Sequence, residues 1–290
     1  MALDPNALFA LEIPPVRRSY DWRDSALYAL GLGYGDDPLD PAQLRFLLED
    51  GQQAMPAMAN VLGHDGGWMK RPETGIDYLR VVHGEQAMRL HRPLPPAGEI
   101  VATTHVEEVV DKGEGKGALV TARREIRDAA SGEAYATVWM TIFCRGAGGF
   151  GGPSDSRRTP HPQPTGTPDR SIAIATPAQL ALIYRLSGDY NPLHADPATA
   201  ARAGFERPIL HGLATFGIAC RALMAALCAG DGARVLGLEG RFSAPVYPGE
   251  TITVDLWAQA AGSAAFRARV GDREVLKNGR FDFLPEENRA

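Results

Sequence analysis

The stretch YRLSGDYNPLHADPATAARAGFERPILHGL, residues 184–213, is the part of the chain around which the rest is organised. Asp189 and His194 stand five residues apart in it, with Asn191 and Pro192 between them, and Leu210-His211-Gly212-Leu213 opens a long apolar run. The unperturbed pKa values of an aspartate and a histidine straddle the acidic side of neutrality, and modest burial tunes both. Held together, the two side chains bind and polarise one water, taking one proton from it and delivering another nearby. Pro192 pushes Asn191 away from helical angles, which predicts a tight loop that turns Asp189 and His194 toward one cavity. The alternative is a turn in which Asp189 hydrogen-bonds backbone and His194 packs passively. Gly212 moves the balance toward chemistry. At a helix start its N–H is an orphan donor at the positive end of the dipole, suited to a carbonyl oxygen that becomes negative. Glycine also lets a substrate approach the backbone. His211 is expected to position the turn, with a second catalytic histidine as the alternative. A metal site made of His194, Asp196 and His211 lacks any recognisable ligand spacing.

Outward from this stretch, the chain reads as two copies of one plan. Residues 19–33 have the spacing and glycine stop of a short amphipathic helix, and QAMPAMANVLG, residues 53–63, is apolar with a proline that shortens or bends any helix. From about 77 to 145 four alternating or apolar segments bounded by turn residues predict strands of a curved antiparallel sheet. Residues 146–170, GAGGFGGPSDSRRTPHPQPTGTPDR, form a Gly/Pro-rich linker. Gly146, Gly148 and Gly151 spell G-x-G-x-x-G, but no helix follows to meet a pyrophosphate, so a nucleotide loop is rejected. TPAQLALIYRLSG then predicts a helix capped by Thr176 with Pro177 in its first turn. A long apolar helix follows over about 212–229, and four closing strands run to residue 283.

The repetition is visible residue by residue. PLPPAGEIV from Pro93 matches PVYPGETIT from Pro245, and Tyr28-Ala-Leu followed by GDDPLD matches Tyr184-Arg-Leu followed by GDYNPLH. Both matches shift the chain by nearly the same amount, the mark of a duplicated unit. The domains are therefore set at 1–145, an N-terminal repeat with a degenerate site, and 171–290, a catalytic repeat. Asp40 stands in the first copy at the place of His194, and the long apolar helix is missing there. The first half is expected to keep the scaffold without the chemistry and to shape a binding cleft.

Composition limits the function classes. The 290 residues carry 44% hydrophobic and 22% charged side chains and a net charge of −5, which suits a soluble globular protein and opposes general nucleic-acid binding. Cys144, Cys220 and Cys228 lie in apolar contexts and read as buried reduced thiols. The N-terminus lacks the pattern of a signal peptide, no apolar run is long enough for a membrane span, and Asn288-Arg289-Ala290 is not a peroxisomal address. A cytoplasmic location follows as the default.

YRLSGDYNPLH with the later HGL resembles the signature of the hydratase 2 family, the MaoC-like (R)-specific enoyl-CoA hydratases. HGEQ at 83–86, Asp111-Lys112-Gly113, GGFGG at 148–152 and RFSAPVYPGE at 241–250 also resemble segments of its two-domain members, including the hydratase domain of peroxisomal multifunctional enzymes. The resemblance implies an α+β double hot-dog fold, with two curved antiparallel sheets and the second wrapped around a long central helix. It implies that Asp189 and His194 activate the water that adds to a trans-2-enoyl-CoA, that Gly212 N–H holds the thioester oxygen, and that Asn191 orients the substrate or the loop. Substrate contacts would fall on His83, Gly84, Lys112, Tyr190, Pro192, Leu193 and Phe242. Lys112 is otherwise a solvated turn lysine, Phe242 strand core and His83 a buried strand histidine. No metal or redox cofactor is implied; the partner is the acyl-CoA, with a homodimer as the assembly. A thioesterase using Asp189 and a non-catalytic acyl-CoA-binding subunit are the competing functions.

Overall fold

Ten strands form one antiparallel sheet in the computed structural model, which describes residues 3–285. The C-terminal residues Asn288 to Ala290, on which the reading of no peroxisomal address rests, lie outside the described residues. In chain order the strands are β1 (Val16–Tyr20), β2 (Val81–Leu90), β3 (Gly98–Asp111), β4 (Gly117–Asp128), β5 (Ala134–Arg145), β6 (Arg170–Ala175), β7 (Val235–Phe242), β8 (Thr251–Ala258), β9 (Ser263–Val270) and β10 (Arg273–Phe283). Their order across the sheet is β1-β3-β4-β5-β2-β7-β10-β9-β8-β6. Each half has the same connectivity, and the two are mirrored about the β2–β7 ladder, where Glu85 faces Arg241 and Arg89 faces Gly237. The two curved sheets of the expected double hot-dog are thus hydrogen-bonded into one.

The helices are α1 (Pro5–Phe9), α2 (Trp22–Leu30), α3 (Pro41–Leu44), α4 (Leu180–Tyr184), α5 (Pro197–Arg202) and α6 (Gly212–Leu227). A capping box starts α2: the Asp21 carboxylate accepts from Arg23 and Asp24 N–H, while Asp24 accepts from Asp21 N–H. The central helix α6 is buried without a break from Leu213 to Met224, as a helix that is apolar all round must be. Gly217 lets it lie against the first half, since a Cβ there would come within 2.5 Å of Leu32. Tyr28 and Tyr184, equivalent residues of the two copies, meet with ring centroids 5.8 Å apart.

Among the described residues, the first half holds no counterpart of α6. A 3-10 turn, Pro56–Asn60, takes part of its place, and the bay under β3, β4 and β5 is filled by Leu3 and Leu8 around α1 together with Trp68 and Met69. Short pieces with separate caps thus replace one helix, as the proline in QAMPAMANVLG predicts.

Several local expectations need correction. The edge strands β1 and β6 were not foreseen; both are short, and β1 carries Arg17 and Arg18, charges that blunt an exposed edge and mask its strand signature. Thr176 does not cap α4, which begins at Leu180. Its hydroxyl donates to Glu250 O at 2.7 Å and accepts Gly249 N–H at 3.0 Å, tying the turn before β8. Asp40 is the equivalent of Asp196, not of His194. Each carboxylate caps a short helix that opens with Pro-Ala, accepting from Ala42 N–H and Ala198 N–H respectively, so His194-Ala195 has no counterpart in the first copy.

The connection between the halves is pinned along its length. Asp111 accepts the N–H groups of Gly113, Gly149 and Gly151, each at 2.8 Å, so the anion over the glycine loop is the protein's own carboxylate. Gly148 must be glycine, because a Cβ would lie 2.3 Å from Gly113 O. Ser156 and Arg157 then bind Glu108, and Arg158 pairs with Glu239 on β7.

Candidate active site

The loop 188–194 is built from its own side chains. Asp189 accepts Asn191 N–H at 3.2 Å, and Asn191, at φ −55° and ψ 119°, caps the 3-10 turn Pro192–His194 by accepting Leu193 N–H at 3.1 Å. The extended angle at Asn191 is the one its following proline demands. His194 is thereby turned inward, 8% exposed, while Asp189 stays half-buried and Tyr190 is out in solvent with Arg185 over its ring.

Hydrogen bonds fix the state of both histidines. Ile209 O is an acceptor 2.9 Å from His194 Nδ1, so Nδ1–H donates and Nε2 keeps its lone pair. Burial pulls the His194 pKa below the ordinary 6.5, against the Ile209 bond and the Asp189 charge, which leaves the ring neutral at neutral pH. His211 donates from Nε2 to Asp189 O at 3.1 Å and stacks on His194 with centroids 3.8 Å apart. It holds the backbone of Asp189 in place, as expected of a residue that positions the turn, and burial lowers its pKa as well.

Asp189, His194 and His211 bring their ligand atoms within 4.8 Å of one another. That span suits a water bridging two polar groups. A metal ion requires in-plane nitrogen lone pairs to converge at about 2.0–2.1 Å. His194 Nδ1 and His211 Nε2 are both spent on backbone carbonyls, which leaves one nitrogen per ring. The donor set therefore fits water better than an ion.

Gly212 begins α6 directly beside this pair. Its N-cap, His211, makes no side-chain cap, and its carbonyl takes the N–H groups of Ala214 and Thr215, so those of Gly212 and Leu213 remain available. The ring of Phe242 closes one side, 3.2 Å from where a Gly212 Cβ would stand, and it packs on His83 at 4.7 Å. His83 precedes a β-bulge at Gly84, a device that re-aims side chains near functional sites. His83 lies on β2, so through its packing on Phe242 the first half contributes a wall of the site.

Sequence reasoning missed the polar groups beneath that wall. His83 Nε2–H donates to Gln86 Oε1 at 3.0 Å, Gln86 donates to Asn60 Oδ1 at 2.6 Å, and Asn60 donates to Ala57 O at 2.9 Å. Asn60 was the available signal, a lone amide in an apolar segment. In the first copy Asp36, the counterpart of Asp189, is paired with Arg221 of α6 at 2.8 Å, and the same guanidinium binds Leu32 O and lies over Tyr34. Lys112 sits apart in the turn between β3 and β4, donating to Ser154 O at 2.6 Å; no contact among the described residues joins it to the 188–194 loop.

Comparison with known proteins agrees with this architecture. A MaoC-like domain model matches residues 158–277, and a model of the MFE-2 hydratase 2 N-terminal domain matches residues 19–146. The chain is 40% identical to 3-hydroxyacyl-thioester dehydratase Y of Mycobacterium tuberculosis, over 98% of this chain and 99% of that one. It is 37% identical to the peroxisomal enoyl-CoA hydratase 2 of Arabidopsis thaliana, covering 87% and 86% of the two chains. A MaoC-like dehydratase from Phytophthora capsici superposes with a TM-score of 0.86 at 32% identity, over 98% of this chain and 100% of that one. A Mycobacterium tuberculosis protein described as a double hot-dog fold superposes at 0.56 with 17% identity, covering 93% of each chain, and supports the fold alone.

Proposed function

The chain belongs to the MaoC-like dehydratases that carry a hydratase 2 N-terminal domain, and from that membership we propose that it is an (R)-specific enoyl-CoA hydratase, a hydro-lyase adding water to trans-2-enoyl-CoA. The observation that carries the reading is a neutral His194 with a free Nε2 lone pair, next to the Asp189 carboxylate and the start of α6. A water between Asp189 and His194 gives one proton to His194 Nε2 as its oxygen bonds to C3 of the substrate. The C2=C3 electron pair moves toward the thioester oxygen, where Gly212 N–H stabilises the developing enolate. C2 then takes the proton held on His194 Nε2, on the same face, which returns His194 to its neutral state and completes the addition of one water. The roles of Asp189, His194, Asn191 and Gly212 in this sequence are ours, and it uses no cofactor.

His83, Gly84, Phe242, the exposed Tyr190 and Pro192 and the half-buried Leu193 flank this centre and are assigned to substrate contact. Lys112, whose ammonium keeps two N–H donors beyond the one given to Ser154 O, is assigned to the coenzyme A phosphates. We assign the catalytic repeat to 171–290 and the degenerate repeat to 1–145, and we place the enzyme, as a homodimer, in cytoplasmic fatty-acid or β-oxidation metabolism. Among the described residues no helix is long and apolar enough to cross a membrane.

The test uses crotonyl-CoA, following loss of enoyl absorbance and release of free thiol in parallel. Hydration without thiol is expected. Thiol release without hydration would make the protein a thioesterase and remove the proposal.

A further inference from the structure

The hydrogen-bond chain beneath His83 runs in one direction only, and that direction is forced from its far end. Ala57 O accepts and cannot donate, so the Asn60 amide turns Nδ2 to it, at 2.9 Å, and points Oδ1 elsewhere. Oδ1 also only accepts, so Gln86 gives it Nε2–H, at 2.6 Å, and is left with Oε1 toward His83. His83 Nε2 lies 3.0 Å from that oxygen and 3.2 Å from Glu85 O, both acceptors, and therefore carries the hydrogen. Asn60 and Gln86 are each 2% exposed, so the order of donors is set inside the protein. Arg124 of β4 clamps the turn at the root of the chain, donating to Asn60 O at 2.6 Å and Ala59 O at 3.3 Å and meeting His64 Nδ1 at 3.0 Å.

The consequence falls at the other end. Burial brings the His83 pKa to about 4, below the ordinary 6.5, so the ring is neutral at neutral pH and Nδ1 keeps a bare lone pair. Among the described residues nothing donates to Nδ1, and the half-buried ring packs on Phe242, which itself borders Gly212. His83 thus offers an acceptor to whatever lies against it. A trans-2-enoyl thioester carries no N–H or O–H in its acyl part. The first such group along a coenzyme A thioester is the amide N–H of the pantetheine arm, a short way beyond the sulfur. Phe242 touches both His83 and Gly212, the donor assigned to the thioester oxygen, so acceptor and donor border one stretch of substrate.

We propose that Gln86 and Asn60 are positioning residues that hold His83 as a hydrogen-bond acceptor, Nδ1 bare, for the amide N–H of the substrate's pantetheine arm. The inference rests on the hydratase reading and on the assignment of His83 to substrate contact. It adds the group that is recognised and the device that prepares for it. A histidine free to exchange tautomers presents a donor part of the time, and a donor facing an N–H repels it.

Two crotonyl thioesters test the pairing. That of N-acetylcysteamine keeps the amide N–H, and that of acetoxyethanethiol puts an ester oxygen in its place. One hydrogen bond, with Nδ1 left facing an oxygen when it is lost, predicts at least about a tenfold higher kcat/KM for the amide. Where both turn over too slowly, the same ratio is read from their competitive inhibition of crotonyl-CoA hydration. The preference should vanish in His83→Phe, which keeps a ring on Phe242. It should shrink by about threefold or more in Gln86→Met, which keeps the bulk and removes both polar ends. Nitrogen nuclear magnetic resonance of histidine-labelled protein at neutral pH reads the tautomer without substrate, the His83 signals being those absent from His83→Phe. A protonated Nε2 and a bare Nδ1 are expected in the unmodified protein, and a mixture of tautomers in Gln86→Met. A protonated Nδ1 in the unmodified protein would overturn the proposal without any activity measurement, and so would equal use of the amide and the ester. An unchanged preference in Gln86→Met, shown by circular dichroism to be folded, would remove Gln86 and Asn60 from it. Crotonyl-CoA hydrated with no amide preference sinks this inference alone; crotonyl-CoA not hydrated sinks the hydratase reading and this one together.

Discussion

Gly212→Pro removes the N–H from the proposed oxyanion site and puts a ring carbon on the same nitrogen. Gly212 is the first residue of α6, where the N–H has no intrahelical acceptor, so the helix loses no bond. Proline is favoured at this position because its fixed φ suits a helix start. It also requires the preceding residue to be extended, and His211 already is, at φ −58° and ψ 135°. The substitution does add carbon atoms close to Phe242, whose ring is 3.2 Å from the Cβ position. Gly212→Ala is the control, since it adds the same Cβ and keeps the N–H. Loss of a single oxyanion donor costs about 2.7–4 kcal/mol of transition-state stabilisation, a fall of about 10²–10³ in kcat. The kcat for crotonyl-CoA in Gly212→Pro should therefore lie two to three orders of magnitude below that of Gly212→Ala, with melting temperatures of the two alike. Equal kcat values in two folded variants would refute the oxyanion role of this N–H.

Asp189→Ala and His194→Ala should each abolish crotonyl-CoA hydration while far-ultraviolet circular dichroism stays unchanged; residual turnover near that of the unmodified enzyme in either would end the assignment. Asp40→Ala should leave kcat unaltered and lower stability by ~1 kcal/mol, the usual cost of losing a helix N-cap, as read from a urea midpoint. Stability should also depend on pH through His64 and His83, whose folded pKa values burial brings to about 4, below the ordinary 6.5. Between these values the unfolded chain binds protons that the folded one refuses, so stability is full above about 6.5 and declines as pH falls toward 4. A urea midpoint at pH 5 equal to or above that at pH 7 would contradict this, and the interval lies above the range where most carboxylates titrate.

Wherever one period ran for a full element, the sequence was legible. The four strands of 77–145, the four closing strands and α6 follow from alternation or unbroken apolarity, and Pro192 alone foretold the angle at Asn191. What failed was local and polar. An edge strand such as VRRSY pairs on one side only, so its alternation is interrupted by charge. Thr176 satisfies the rules for a helix cap but is captured by Glu250 O, a partner distant in the chain. Asp40 was aligned by its PLD context to His194, and only the shared capping geometry moved it to Asp196. The network of Asn60, Gln86, His64 and Arg124 has no signature in sequence, because its members converge from a 3-10 turn, the loop after it and two strands.

The pairing of Asp36 with Arg221 has a consequence for the history of the molecule. On the proposed assignment of the first copy as degenerate, its site is not merely empty, because Asp36 has been given other work. To reacquire chemistry in the first copy, a lineage must insert a histidine segment after Leu39 and free Asp36 from its guanidinium. The freed Arg221 would then stand 8% exposed with no counter-ion. Each of those steps lowers stability before any activity exists to be selected. The duplication therefore behaves as a ratchet. Once the surviving half's central helix had taken the idle aspartate as an anchor, the division of labour between the copies could deepen but not readily reverse.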